Sequence, residues 1–146
     1  MTEGMMNLDQ ALVDAATALL VSYFPGDQGI AAAAYTDSGA LYTSVVFDPE
    51  WGGAGLCAET GAILEAVKRK EHVTAIACVG RLGGDEPIVL LTPCGICQER
   101  LSHFGADVQI AVPHPADPTR WQMQRLRDVQ PYYWVNGYRQ LYPDLK

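Results

Sequence analysis

Three cysteines in the sequence have the types and spacing of a metal site. Cys94 and Cys97 form a Cys-x-x-Cys pair that directly follows Pro93, and Cys57 lies well upstream of them. The pair alone is compatible with half of a zinc site, with a redox dithiol or with chance. Together with Cys57, three thiolates would hold zinc in tetrahedral geometry and leave the fourth position open to water, which is typical of a catalytic rather than a structural zinc.

An acidic residue accompanies these cysteines. Glu59 follows Cys57 by two residues, so its carboxylate can point toward the open position of the metal. A carboxylate placed there can take a proton from water and pass it on, which is general acid–base catalysis. Zinc would lower the pKa of that water toward neutrality. The predicted site therefore combines three ligands with one proton-transferring group.

Two other interpretations of the cysteines remain open. A closed structural zinc site would need a fourth ligand, for which the sequence offers Cys78, His72, His103 and His114. Such a site, in a zinc-binding module without activity, would leave Glu59 without a role. A redox dithiol at Cys94 and Cys97 would leave Cys57 unexplained. Cys78 itself lies in an apolar segment and is expected to pack as a small hydrophobic residue.

The elements that must position these residues are predicted from periodicity and turn signals. A first helix begins at Asn7, with Asn7 as its cap and Gln10 in the capping-box position, and ends at Pro25-Gly26-Asp27. Strands over 29–36 and 40–47 follow, joined by a turn. Further strands are expected at 73–79, 88–91 and 108–112, and helices at 57–70, 95–103 and 118–128, the last begun by Pro118.

This order of elements predicts an α/β fold. We expect a three-layer α/β/α arrangement, with helices on both faces of a mixed sheet of about five strands. A single domain would cover residues 1–146, with an aromatic tail from about residue 131. The three cysteines would lie in the first turns of two helices, whose positive ends favour thiolate.

Composition limits the classes of partner. The 146 residues are 49% hydrophobic and 18% charged, which argues against disorder, and the formal net charge of −7 would repel a phosphate backbone. Nucleic acid polymers, including base editing of DNA or RNA, are therefore disfavoured. The segment Met1–Gly4 shows no signal peptide, and no apolar run is long enough to span a membrane. Cysteines without an export signal predict a cytoplasmic location.

The cysteine motifs resemble those of a known family. Cys57-Ala58-Glu59, followed by Pro93-Cys94-Gly95-Ile96-Cys97, is similar to the zinc signature of the cytidine deaminase superfamily. Cysteine rather than histidine at position 57 is the pattern of small deaminases of free nucleosides, which are homotetramers. The segment 127–134 resembles the C-terminus of the blasticidin S deaminases.

This resemblance implies a reaction and the groups that carry it. One zinc ion per subunit would be held by Cys57, Cys94 and Cys97, and a free cytosine nucleoside such as cytidine or deoxycytidine would be hydrolysed to its uracil form with release of ammonia. Glu59 would move the protons, and backbone groups near Ala58 and Thr92 would bind the ring. A modified cytosine nucleoside such as blasticidin S is the alternative substrate.

Several positions depart from the family pattern. Thr60 and Gln98 stand where the family has arginines that offset the thiolate charge, and Arg100 is the candidate substitute. The family's Asn-x-Glu, which holds ribose hydroxyls, falls on 46–48, so that Asp48, or Glu50 after a shift of the loop, would replace the carboxylate.

Aromatic residues are the remaining candidates. Phe24 matches the family's early aromatic residue that contacts the pyrimidine. The tail, with Tyr133 and Trp134, either packs against the protein or covers an active site, that of a neighbouring subunit included. Trp51 and the nearby glycines either line the substrate entrance or form a loop packed by the tryptophan.

Overall fold

A computed structural model of the chain describes residues 6–145. The segment Met1–Gly4, on which the expectation about a signal peptide rests, lies outside these residues. Within residues 6–145, no helix has the length and apolar character needed to cross a membrane.

The described chain forms a six-stranded mixed sheet. Its strands are β1 (Gly29–Thr36), β2 (Leu41–Val45), β3 (Val73–Arg81), β4 (Val89–Leu90), β5 (Gln109–His114) and β6 (Asp117–Arg125). The strand order is β2-β1-β3-β5-β6, and β4 pairs with the second half of β3. The pair β3–β5 is parallel and the other pairs are antiparallel. The mixed sheet predicted from the sequence is confirmed.

Helices cover both faces of this sheet. They are α1 (Gln10–Tyr23), α2 (Thr60–Lys68), α3 (Gly95–Leu101), α4 (Leu126–Val129) and α5 (Asn136–Leu141), and a 3-10 turn (Ser102–Phe104) follows α3. Successive strand residues point to opposite faces, so Ala33 packs with α1 while Ala34 packs with α2 and α3. The three-layer α/β/α architecture is therefore confirmed.

The first helix begins two residues later than predicted. Asp9 is its cap, and its Oδ1 accepts hydrogen bonds from the backbone N–H of Leu12 (3.0 Å) and from the hydroxyl of Tyr35 (2.8 Å). Asn7, the predicted cap, instead accepts a hydrogen bond from the Gln109 side chain at 3.1 Å. Both residue types are suited to capping. The contact with Tyr35 on β1, which joins residues far apart in sequence, favours Asp9.

The helix predicted over 118–128 is wrong. Residues 117–125 form β6, which pairs with β5 so that Met123 lies opposite Ala111 and Trp121 opposite Pro113. The apolar residues Trp121 and Met123 alternate with polar ones, a strand period. Pro118 fits because β6 is at the edge of the sheet, where a missing N–H is tolerated. Only the short α4 is helical here.

The cap assignment can be tested by stability. Asp9→Ala removes the side-chain acceptor of both Leu12 and Tyr35, so we expect the free energy of unfolding to fall by about 1–3 kcal/mol. Asn7→Ala is the matched control and should cost less, because Asn7 caps no helix. Urea unfolding followed by circular dichroism measures both values. An equal or larger loss for Asn7→Ala would refute the assignment.

Candidate active site

The Cys-x-x-Cys pair lies where a strand passes into a helix. The backbone N–H of Leu91 donates to the carbonyl of Cys78 at 2.9 Å, which extends the pairing of β4 with β3 up to the edge of the pair. Cys94 is extended (φ −65°, ψ 169°) and directly precedes α3, and Cys97 lies in the first turn of α3. This geometry brings both thiols to the same end of the helix.

Cys57 and Glu59 lie in a turn immediately before α2. The sequence predicts a helix from Cys57, but the helix begins at Thr60, whose backbone N–H donates to the carbonyl of Cys57 at 3.0 Å. Glu59 occupies the cap position with no hydrogen bond from its side chain to the helix amides. Its carboxylate is therefore available to the site, and only 4% of the residue is exposed.

This turn is fixed to the sheet by Ser44 of β2. The hydroxyl of Ser44 donates to the carbonyl of Ala58 and accepts from the backbone N–H of Ala62 at 3.0 Å. The approach is so close that a Cβ atom on Gly61 would lie 2.6 Å from the Cβ of Ser44. Position 61 therefore requires glycine for α2 to reach β2, and the Cys57–Glu59 turn is held in place as a result.

The three predicted ligands converge. Their Sγ atoms all lie within 4.8 Å of one another, and those of Cys57 and Cys94 are 3.3 Å apart. Zinc–sulfur bonds of about 2.3 Å in tetrahedral geometry separate the sulfurs by roughly 3.8 Å. The thiol of Cys97 lies 3.4 Å from Oε2 of Glu59. Three soft sulfur donors at these distances fit zinc, with the carboxylate directly beside them.

The proposed fourth ligands lie outside the sulfur cluster. Cys78 packs with small apolar residues of the sheet and of the Cys57–Glu59 turn. His103 and His72 lie against the ring of Phe104, and the ring of His114 accepts a hydrogen bond from its own turn. Within residues 6–145, the metal-ligand cluster around Cys57 contains these three sulfurs and none of the four candidates. This arrangement leaves room for an open coordination position.

The environment acts differently on the three thiols. Burial raises the pKa of Cys97, and the neighbouring Glu59 charge adds to this effect. Burial also raises the pKa of Cys57. Burial acts in the same direction on Cys94, but hydrogen bonds from the backbone N–H groups of Cys97 and Ile96 and from the Cys57 thiol bring its pKa below the ordinary value. The predicted effect of a helix N-terminus thus holds for Cys94 alone.

A cleft of about 350 Å³ opens beside the cluster. Of the predicted residues, Asp48, Ala58 and Thr92 line it together with Glu59, Cys57 and Cys94. Its other lining residues are Ile30, Val46, Phe47, Gly55, Leu56, Cys78 and Leu91. Among the described residues, the lining contains two carboxylates and no lysine or arginine. A ligand in this cleft therefore meets apolar walls and negative charge.

The remaining cleft candidates are more distant. Phe24 lines a second cavity of about 440 Å³, which shares Ile30, Val46, Phe47 and Asp48 with the first. Glu50 is exposed and belongs to the lining of neither cavity.

The aromatic tail packs on α3. The hydroxyl of Tyr133 donates to Glu99 at 3.1 Å, and the indole N–H of Trp134 lies 3.2 Å from both carboxylate oxygens of Glu99. Neither ring lines the cleft of its own chain. Within one chain, both residues are therefore hydrogen-bonded to α3, while Trp134 stays 63% exposed.

The positions that depart from the family pattern have other contacts. Gln98 donates from its side chain to the carbonyl of Pro93 at 2.8 Å, which holds the Cys-x-x-Cys segment without supplying charge. Arg100 donates to the hydroxyl of Thr60 at 2.8 Å. A guanidinium group thus lies beside the residue that follows Glu59.

Comparisons with solved structures agree with this site. The cytidine deaminase from Bacillus anthracis matches with a TM-score of 0.84 and 38% sequence identity, over 92% of this chain and 95% of that one. The chain belongs to the cytidine deaminase family. The family resemblance predicted from the cysteine motifs is therefore confirmed.

More distant members of the family have the same fold. The cytidine deaminase from Mycobacterium tuberculosis matches with a TM-score of 0.66 and 26% identity, over 88% of this chain and 98% of that one. The cytidine deaminase from Mycobacterium leprae, at 23% identity, shows a likeness in fold, with a TM-score of 0.66 over 86% of this chain and 99% of that one. No protein-family model and no curated protein sequence matches the chain.

Sequence reasoning missed two residues of the site, Ser44 and Gly61, which position the Cys57–Glu59 turn. Cys78, expected only to pack as a small hydrophobic residue, also lines the cleft. The available signal for Gly61 was its position at the start of a predicted helix. Glycine lowers helix stability, so its presence there indicates a close packing contact. Nothing in the local sequence singles out Ser44.

The docking of the turn yields a prediction. Gly61→Ala would force α2 away from Ser44, so we expect a loss of about 1–3 kcal/mol in the free energy of unfolding together with weaker metal binding. Gly137→Ala in α5 is the matched control, because a Cβ atom there meets no described neighbour within 4 Å. Thermal unfolding and metal content after dialysis measure the two effects. If both variants behave alike, the close contact is unimportant.

Proposed function

We propose that this protein hydrolyses the exocyclic amino group of a free cytosine nucleoside, cytidine or deoxycytidine, giving the uracil nucleoside and ammonia. The observation that carries the proposal is the convergence of three thiols and one buried carboxylate at the wall of a cleft. The solved structures that resemble the chain are named as cytidine deaminases, which supports the same reaction.

The metal of this reaction is proposed to be zinc, one ion per subunit, held by Cys57, Cys94 and Cys97. When bound, zinc supplies a Lewis acid that lowers the pKa of water at its open coordination position. The mutual distances of the three sulfurs support this assignment.

Glu59 is proposed as the proton carrier. Its carboxylate lies beside the sulfur cluster and in the cleft wall, so it can accept a proton from water that attacks C4 of the ring. It then protonates N3, takes a second proton from the new hydroxyl group on C4 and delivers it to the amino group, so that the C4–N bond breaks, the C4=O bond forms and ammonia leaves. Main-chain groups at Ala58 and Thr92, which both line the cleft, are proposed to bind O2 and the amino group of the ring.

Arg100 is proposed to offset negative charge at the site. Three thiolates around a divalent cation leave a net charge of −1, to which Glu59 adds. Arg100 is held 2.8 Å from the hydroxyl of Thr60, so its positive charge lies close to the Cys57–Glu59 turn. A cation beside this turn would favour the charged forms of the thiols and of the carboxylate.

The sugar is proposed to lie toward Asp48, the cleft residue at the carboxylate position of the family's Asn-x-Glu motif. Glu50 stays a candidate for a contact made after a shift of its loop. Phe24 stays a candidate for a contact with a ligand that extends into the second cavity.

A modified cytosine nucleoside such as blasticidin S is the second candidate substrate. The observations that favour it are the acidic lining of the cleft and a second cavity that shares four lining residues with it, which together would accept a larger or cationic substituent.

The assembly is proposed to be a cytoplasmic homotetramer. Many apolar residues of the tail are exposed, including Trp134, Tyr138 and Tyr142, and such a patch is typical of an interaction surface. In this arrangement Tyr133 and Trp134 could contact the cleft of a neighbouring subunit.

The metal proposal predicts a defined stoichiometry. Protein purified without chelators should contain about one zinc ion per chain, and Cys97→Ala should lower this value strongly because it removes a buried ligand. Cys78→Ala is the matched control, since Cys78 is also buried but lies outside the sulfur cluster. Elemental analysis measures the zinc content. Equal zinc in both variants would contradict the ligand assignment.

The catalytic proposal predicts the effect of removing the carboxylate charge. Glu59→Gln should lower kcat for cytidine by about 10²–10⁴-fold, the usual contribution of a general acid–base group, while the zinc content stays unchanged. Ammonia release and the absorbance change of the ring measure turnover. Unchanged turnover would refute the role of Glu59.

A substrate panel tests the proposed activity as a whole. Wild-type protein that binds zinc but deaminates none of cytidine, deoxycytidine and blasticidin S would refute the proposal that the protein is a deaminase. The order of its activity on these three substrates decides between the two candidate substrate classes.

A further inference from the structure

We propose that Trp51 is a substrate-binding residue that closes over the nucleoside, carried by the loop of residues 48–55. The inference rests on the proposed function and goes beyond it, because it assigns the substrate contact to a residue outside the lining of the cleft.

The loop is anchored at the rim of the cleft. Phe47 and Leu56 exchange two backbone hydrogen bonds of 3.0 and 2.8 Å, which close the base of the loop. Both anchor residues line the cleft, as do Asp48 and Gly55, the first and last residues of the loop. Any movement of the loop therefore takes place directly over the cleft.

The tip of the loop stands clear of the rest of the described chain. Trp51 is 81% exposed, so within one chain the tryptophan does not pack the loop. A Cβ atom on Gly52 or Gly53 would meet no described neighbour within 4 Å, and Gly53 has a positive φ of 89°, which glycine adopts without strain. The tip of the loop therefore has few contacts that hold it, and burial of the exposed indole against a ligand would be favourable.

Phe47 and Asp48, at the base of the loop, line both the cleft and the second cavity. A nucleoside bound next to Glu59 would therefore lie beside the loop. Trp51 is three residues from Asp48, and three extended residues span at most about 10 Å. The indole can thus reach the mouth of the cleft while the anchor stays in place.

The chemistry of the indole suits a nucleoside. Its flat apolar face can stack on a pyrimidine or on the apolar face of a sugar, and its N–H can donate to a hydroxyl oxygen. Stacking needs no particular pattern of hydroxyl groups, so it can hold a nucleoside where the asparagine of the family's ribose motif is replaced by Val46.

Steady-state kinetics and fluorescence test the inference. Trp51→Ala should raise KM for cytidine about tenfold, within the range measured for base–aromatic stacking, and should change kcat much less. Trp51→Phe should recover most of this loss because it keeps an aromatic face. Leu82→Ala, at an apolar residue of matching exposure (79%) away from the sulfur cluster, is the control and should leave KM unchanged. In wild-type protein, uridine should change the tryptophan fluorescence, and Trp51→Phe should reduce that change strongly.

The outcomes separate this inference from the proposed function. If the wild-type protein deaminates cytidine and Trp51→Ala has the same KM, or if uridine changes the fluorescence of wild type and Trp51→Phe equally, Trp51 does not bind substrate. If Trp51→Ala instead lowers the molecular mass measured by analytical ultracentrifugation without changing KM, Trp51 is a subunit contact and the inference is overturned. Absence of deamination by the wild type would overturn the proposed function, and the inference with it.

Discussion

The site depends on the anchoring of two short segments to one end of the sheet. The Cys57–Glu59 turn is tied to β2 through the hydroxyl of Ser44, and the Cys-x-x-Cys segment emerges from β4 where Leu91 pairs with Cys78 of β3. Since β1 joins β2 to β3, a single sheet sets the distance between the two segments. This backbone framework brings the three sulfurs together. Small buried residues such as Ala32 and Ala58 allow the Cys57–Glu59 turn to pack closely against the sheet.

The electrostatics of the site follow from the same framework. Burial of Cys97 beside Glu59 raises the pKa of the thiol, so the fold alone works against the thiolate that a metal requires. The positive charges that could compensate are a cation among the sulfurs and the guanidinium of Arg100 near Thr60. Metal binding and thiol deprotonation are therefore coupled, and a cation strong enough to displace thiol protons suits this site better than a hard one.

The chemistry-bearing residues were predictable because their spacing is a local property of the sequence. The ligands, Glu59 and the layered fold with its mixed sheet all follow from short motifs and periodicity. The start of α1 was not predictable in this way, and the alternation of Trp121 and Met123 with polar residues was a weak local sign that residues 117–125 form a strand. Asp9 is favoured as the helix cap by its hydrogen bond with Tyr35, which lies far away in sequence. The indole N–H of Trp121 donates to the side chain of Gln10 at 2.7 Å, a contact between β6 and α1 that the local sequence of β6 does not reveal. Likewise, Ser44 acquires its role only when β2 meets α2.

The hydrogen bonds at Glu99 link the aromatic tail to the helix that follows the Cys-x-x-Cys pair. Glu99 lies two residues after Cys97 in a helix of seven residues, and Tyr133 and Trp134 both donate to its carboxylate. Removal of the chain from residue 133 onward would therefore break contacts close to the sulfur cluster. The C-terminal part of the chain supports the site from outside, although neither ring lines the cleft.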